Sequence, residues 1–398
     1  AVTVPLTGWL AARFGAVRVF ATAMGLFGVA SLLCGLANSL GFLVFARILQ
    51  GFAGGPLMPL SQTLLLRIFP PRMAPAAVGL WAMTTLIAPV LGPIVGGWIC
   101  DQYSWHWIFL INIPVAIGCA FAAWNLLKRY ELPKLKNPID TVGLVLLFTW
   151  VGALQLMLDE GKNLDWFASG TIVTLAIVAV VGFVAFLIWE LHEEHPVVDL
   201  RVFRHRGFSM SVLTISLAFA AFFAANVLTP LWLQSFMGYT ATQSGKVTAW
   251  TGLFALMVAP MAAGLSAKVD PRKLIFGGVF WLGVITMWRT VATTEMSYWD
   301  IAMPLMLMGW GLPFFFIPTT GLALASVEPH EMDNAAGLMN FLRTLSGAAA
   351  VSMVNTEWEN ETTRQHAELV GLTDRSGEVL QGLQQSGLTP QAALQTLD

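Results

Sequence analysis

Two arginines sit inside long apolar stretches, where a guanidinium is costly to place and able to do chemistry. Arg47, in Arg47-Ile48-Leu49-Gln50-Gly51, falls about seven residues inside one such stretch. An intramembrane cation costs roughly 2.5–3.5 kcal/mol on insertion scales, so it faces a cavity or a partner. One reading is a charge that lowers the pKa of a nearby carboxylate or assists its proton exchange. The other is a side chain snorkelling to the interface. Gln50, one turn on, either lines the same cavity or bonds to a neighbouring helix. Arg343, in Asn340-Phe341-Leu342-Arg343-Thr344, is about ten residues from the inner end of its stretch. At about 1.5 Å per residue that is near mid-membrane, which predicts burial and a role in gating or in an ion pair. Arg289 lies near an outer end and reads as an interfacial anchor. No Asp or Glu occupies the middle of any apolar stretch, so the proton site that a coupled carrier needs is not visible.

Other residues of the right type are polar or aromatic. Asn226, Thr229, Pro230 and Gln234 form a stripe at helical spacing; they read as a substrate-lining face or as polar contacts between helices. Trp81 could line a pocket, and Thr84 or Thr85 could satisfy carbonyls freed by the prolines that follow. Phe314, Phe315 and Phe316 lie between Pro313 and Pro318, where they could stack on an aromatic ligand or pack against lipid. In Ala88–Gly97, Pro89 and Pro93 remove two backbone donors one turn apart. Gly92, Gly96 and Gly97 leave a bare face that admits a neighbouring helix. His192-Glu193-Glu194-His195 lacks the order of a helical zinc motif and ends at Pro196. No metal cluster, nucleophile triad or phosphate-cradling loop is present in the sequence, so no metal site is expected and an enzyme is not.

The elements that carry these residues are membrane helices. The chain has 398 residues, 56% hydrophobic and 11% charged, against roughly 25% charged in soluble domains. A span needs about 20 residues. A partial span is expected at about 1–12 and eleven full spans at about 17–37, 40–66, 76–100, 105–127, 140–158, 169–190, 207–237, 242–267, 273–292, 299–325 and 333–356. Alternate loops hold Arg13 and Arg18; Arg67 and Arg72; Lys128, Arg129, Lys134 and Lys136; Arg201, Arg204 and Arg206; Lys268, Arg272 and Lys273. These fourteen of the 21 basic residues place one set of loops in the cytoplasm. The loop Glu328–Glu331 is the acidic exception. A net charge of −2 does not suggest nucleic acid. Cys34, Cys100 and Cys119 have no metal-ligand or disulfide pattern. A short likeness between Gly8–Arg13 and Gly264–Lys268 suggests two related halves.

The chain resembles the major facilitator superfamily, and within it the fourteen-helix drug:proton antiporters of the EmrB kind. Ala88–Gly97 is similar to the fifth-helix antiporter motif, with Ala88 in place of its first glycine. Arg47, Gln50 and Gly51 resemble the fourth-helix motif; Gly8, Arg13, Gly15 and Arg18 resemble the loop motif between helices two and three. Asp199–Phe203 and Asn340–Leu345 are also EmrB-like, and Asn340 joins Trp81, Thr84, Asn226, Gln234 and Phe315 as a candidate lining residue. The loop motif's usual acidic residue is replaced by Ala12, which predicts a different cytoplasmic lock. The resemblance implies an all-α polytopic membrane protein of the major facilitator fold. Two six-helix bundles would be joined by two extra helices, the first and last helices being absent from this chain. Residues 1–127 would form the N-terminal bundle (helices 2–6), 128–206 the intervening pair with cytoplasmic linkers, 207–356 the C-terminal bundle (helices 9–13) and 357–398 an external polar loop. The implied function is proton-coupled export of hydrophobic drug-like compounds across the bacterial inner membrane. The energy source would be the proton gradient, with no cofactor. The implied partners are a periplasmic adaptor (EmrA-like) and an outer-membrane channel. The alternatives are an uptake symporter of the same superfamily for a small metabolite, or a non-transporting receptor or assembly protein.

Overall fold

In lipid every backbone donor must be satisfied within its own segment, so an apolar chain of this composition has helices as its ready solution. The computed structural model describes residues 3–131, 138–293 and 295–373, and among these there is no strand. The helices in chain order are α1 (Thr7–Phe14), α2 (Ala16–Gly35), α3 (Leu40–Gly54), α4 (Leu57–Ile68), α5 (Ala74–Gln102), α6 (Trp107–Leu110) and α7 (Asn112–Leu127). They continue with α8 (Thr141–Glu160), α9 (Gly170–His192), α10 (Arg206–Ser235), α11 (Ala241–Ser266), α12 (Pro271–Arg289), α13 (Tyr298–Ala325) and α14 (Met332–Thr373). Several starts are set by side chains that take up free N–H groups. Asp140 accepts from Gly143 at the head of α8, Thr240 and Gln243 form a capping box on α11, and Ser297 and Asp300 form one on α13.

Each of the eleven expected full spans is helical. Eight crossings are long and apolar enough to traverse a bilayer by length and composition among the described residues. α5, α12 and α14 occupy the other three stretches. α12 carries Arg272, Lys273 and Arg289, and α14 runs into polar sequence. The crossing expected at 40–66 is divided into α3 and α4 at Gly55-Pro56, because Pro56 has no N–H to continue the ladder. The polar stretch from 357 is not a loop throughout: α14 remains helical to Thr373, and 374–398 lie outside the described residues.

Chain contacts divide the protein into residues 1–350 and 351–398. In the second unit the helical turns carry ion pairs and amide bonds on their own surface, such as Arg364 with Glu361 and Gln365 with Glu361. In the first, the main core is built around α13. Seventy-eight per cent of its most apolar stretch is buried, against 11% for the α6–α7 crossing. α13 contains Pro304, Pro313 and Pro318, all buried; its broken ladder is therefore covered by protein, as a membrane requires. The indole of Trp281 in α12 donates to the Leu307 carbonyl at 2.7 Å. The α8–α9 hairpin joins this core through Trp150, whose ring meets Phe186 of α9 and Phe341 of α14 at 6.0 and 5.9 Å between centroids.

Leu305 of α13 is fully buried. Leu305→Ala is expected to cost about 2–5 kcal/mol, read as a lower unfolding midpoint in detergent. Met257→Ala, at a position 66% exposed on α11, should leave the midpoint unchanged.

Candidate functional site

The side chains of three other helices converge on Arg343 of α14. Its guanidinium lies 4.8 Å from the ring centre of Phe219 in α10, 5.3 Å from Phe316 in α13 and 5.8 Å from Trp81 in α5. Trp81 and Phe316 stack nearly parallel, at 9° and 6.0 Å. Arg343 is 4% exposed, and its Nε and Nη1 have no hydrogen-bond partner. No carboxylate pairs with it among the described residues. Its charge is held by ring faces, each cation–π contact contributing roughly 0.5–2 kcal/mol. One turn earlier, Asn340 donates to Gln62 Oε1 of α4 at 3.2 Å, leaving Asn340 Oδ1 and Gln62 Nε2 unbonded. Trp81 is fixed by donating from Nε1 to Ser61 Oγ of α4 at 3.1 Å. The result is a buried aromatic cluster around one cation, with unspent amide groups beside it.

A second network surrounds Arg47 of α3. Arg47 Nη1 donates to Gln50 Oε1 at 2.8 Å, and Gln50 Nε2 donates to Ser31 Oγ of α2 at 2.5 Å. Asn112 of α7 donates to the same hydroxyl at 3.4 Å. Arg47 also lies over the Phe109 ring, 5.6 Å from its centre. Gln50 and Ser31 are buried while Arg47 is exposed. The arginine is thus tethered through a buried glutamine to three helices.

The end of the bundle that carries the basic loops is closed. Arg67 at the end of α4 pairs with Asp333 at the start of α14 at 2.5 Å, both largely covered. A Cβ on Gly8 of α1 would lie 2.7 Å from the Asn334 backbone, so only glycine permits this approach. Asn334 in turn donates to the Asp199 carbonyl at 2.6 Å. α5 and α11 meet closely at Gly79 and Ala263. Glu331 accepts from Arg204 and His205, each at 2.9 Å, and from the Glu328 amide at 3.2 Å. Burial pushes the Glu331 carboxyl up. The Glu328 N–H, the His205 side chain and the Arg204 charge outweigh this and hold it below its ordinary value.

The model described as Major Facilitator Superfamily matches residues 1–351. The chain belongs to the major facilitator superfamily. It is similar to Multidrug export protein EmrB of Haemophilus influenzae, 42% identical over 370 residues that cover 93% of this chain and 72% of that protein. Fatty acid resistance protein FarB of Neisseria gonorrhoeae is 43% identical over 366 residues, 92% of this chain and 72% of FarB. Multidrug export protein EmrB of Escherichia coli K12 is 40% identical, with 93% and 72% covered. Among solved structures, the human organic anion transporter MFSD10 matches with TM-score 0.62 at 14% identity, covering 89% of this chain and 74% of that one. The proton:xylose symporter XylE matches with TM-score 0.55 at 14% identity, covering 93% and 77%. These two show the fold. A superfamily member of this kind is a multi-span membrane transporter rather than an enzyme.

The superfamily fold brings some expected residues together and separates others. Trp81 lies against Arg343, and Asn340 sits one turn earlier on the same helix. Phe315 does not join them: the residue is fully buried against Gly278 of α12, and its neighbour Phe316, one helical step round, faces the cation instead. Thr84 bonds back to the Trp81 carbonyl. Asn226 and Gln234 bond back to the carbonyls of Phe222 and Pro230, while Thr229 of the same stripe makes a polar contact between helices with Arg289 of α12. Arg289 is no free anchor, because it donates to Thr229 and to Met308 Sδ. In the loop motif, Gly15 adopts φ 97°, and Arg13 and Arg18 lie over Trp9 and Trp124. The Glu131 carboxylate accepts from the Val17 and Arg18 amides at the head of α2. α5 is one uninterrupted helix through the antiporter motif, with Gly92 exposed and Gly96 partly so. The side chains of Pro89 and Pro93, and Gly97, lie outside the described residues.

Sequence reading missed Phe219 and Gln62, whose roles arise from contacts across helices, and named Phe316 only as one of three adjacent phenylalanines. It also missed a buried carboxylate pair. Asp140 Oδ2 and Glu190 Oε1 have no partner and both face the side-chain-free position of Gly143. A glutamate three residues from the end of so apolar a helix as α9 was the available signal.

Because the Glu331 carboxyl is held below its ordinary value, the stability it gives is present above that value and is lost as pH falls through the lowered one. Glu331→Gln should therefore lower the unfolding midpoint at neutral pH, with the difference closing as the pH falls below the ordinary carboxylate range and through the lowered value. A difference that persists in acid would place the effect elsewhere.

Proposed function

We propose that this chain is the transport core of a proton-coupled exporter of hydrophobic drug-like compounds in the bacterial inner membrane, working by alternating access. The observation that carries this reading is the caged Arg343, walled by rings from α5, α10 and α13. Aromatic walls accept many shapes, which suits loose selectivity. The lone cation favours molecules that offer a negative or π-rich group. The similar EmrB is a multidrug export protein and the similar FarB a fatty acid resistance protein, which supports this reading. A sugar carrier would need more hydroxyl-binding groups than Gln62 and Asn340 supply. The energy source is the proton gradient, without a cofactor. In this scheme the closed basic end, with its Arg67–Asp333 pair, is the cytoplasmic gate, and Arg47 with Gln50 acts in proton coupling. Residues 1–127, 128–206 and 207–356 serve as the N-terminal bundle, intervening pair and C-terminal bundle. The polar segment 357–398 faces outward and docks a periplasmic adaptor that leads to an outer-membrane channel.

In everted vesicles with an acidified lumen, adding a drug to the medium should release protons from the lumen. Arg47→Ala should abolish that release while drug binding persists, and Arg343→Ala should weaken drug binding itself by about ten-fold or more, as expected for loss of a desolvated cation–π site. Wild-type release in both variants would remove the two arginines from the mechanism. Deleting 357–398 should leave vesicle transport intact and abolish resistance in cells; unchanged resistance would rule out adaptor docking there.

A further inference from the structure

Away from the Arg343 cluster, a groove of about 540 Å³ opens at the basic end between α10, α12 and α13. That lies within the roughly 300–1,000 Å³ of small-molecule sites. Two arginines stand at its mouth. Arg206 opens α10 and Arg272 lies in the first turn of α12. Both are exposed, and neither side chain has a hydrogen-bond or ion-pair partner among the described residues. The nearby acids are already engaged. Asp270 accepts the Arg272 amide, and Glu328 and Glu331 are taken by Arg204 and His205. The two helix N-termini add partial positive charge in their first turns.

Below the mouth the groove is apolar, formed by Met210, Ile275, Phe276, Val279 and Leu322. Its threonine hydroxyls are used internally, Thr214 toward the Met210 carbonyl and Thr319 toward that of Phe315. Met210 and Phe276 are 66% and 74% exposed, so the groove continues sideways onto the lipid-facing surface. Two cations at the interface above an apolar trough match one kind of occupant. The headgroup must be anionic and the tail must be acyl. Basic pockets between membrane helices on the cytoplasmic side recognise such headgroups by charge.

We propose that this groove is a binding site for one anionic phospholipid, its phosphate between Arg206 and Arg272 and an acyl chain along Phe276 and Val279. Neither arginine belongs to the Arg343 cluster or to the gate, so the site stands independently of the transport reading.

The test uses the full chain, purified in detergent, with phosphatidylglycerol, phosphatidylcholine or inorganic phosphate as the probe. Bound lipid is counted by native mass spectrometry, and stabilisation is read from the unfolding midpoint. Phosphatidylglycerol should bind at one copy above background and raise the midpoint, with phosphatidylcholine and phosphate doing neither. The double variant Arg206→Gln, Arg272→Gln should lose about ten- to thirty-fold in affinity for phosphatidylglycerol. Val279→Trp, which fills the trough and keeps both charges, should lose it as well. Equal binding of the two lipids, or unchanged binding in both variants, would overturn the proposal. Displacement of phosphatidylglycerol by inorganic phosphate would assign the arginines to a soluble anion and overturn the lipid reading.

Discussion

Keeping a guanidinium buried among helices without a carboxylate beside it is the requirement on which the centre of this protein depends. Arg343 meets it with ring faces from three other helices. Each ring must be held at the correct height and angle, and the fold supplies the means. Trp81 is pinned by Ser61. Phe316 is set by α13, the most enclosed of the apolar crossings, whose prolines are covered on all sides. Phe219 packs on Phe223 and lies near Phe316. A carboxylate partner would have neutralised the charge and left little for a passing molecule to gain. An aromatic cage stabilises the cation and still leaves Nε and Nη1 unspent.

The two polar networks of the bundle differ in kind. Around Arg47 the bonds run through a chain of neutral groups, Gln50, Ser31 and Asn112, that fix three helices together. At the basic end the contacts are ionic and partly wet, as at Arg67–Asp333 and around Glu331. Neutral networks inside a bundle resist opening. Ion pairs near water exchange partners at modest cost. The contacts at the basic end are of the second kind.

Much of the fold was legible in the sequence because membrane helices announce themselves by length and apolarity. The basic loops add sidedness. The loop motif was legible too: Gly8 and Gly15 are glycines because of Asn334 and of a positive φ. The Ala12 departure led to the expectation of another lock, and the structure shows an Arg67–Asp333 ion pair at that end. What could not be read was rotation. Residues one apart on a helix differ by about 100°, which is why Phe316 and not Phe315 meets the cation. The α10 stripe misled for a related reason: near Pro230 a polar side chain has unsatisfied carbonyls of its own helix within reach, and Asn226 and Gln234 turn to them. Nor does apolar patterning mark where a polar helix ends, so the continuation of α14 to Thr373 was not foreseen.

One pair of helices appears in both the gate and the cluster. α4 carries Arg67 at its end and Gln62 between its turns; α14 carries Asp333 at its start and Asn340 and Arg343 further in. Asp333 and Arg343 are ten residues apart on one continuous helix, about 15 Å of rod. Latch and lining are therefore cut from the same bar. Were α14 to tilt so as to draw Asp333 from Arg67, the guanidinium would swing within its ring of aromatics in the same stroke, as the bit of a key turns with its bow.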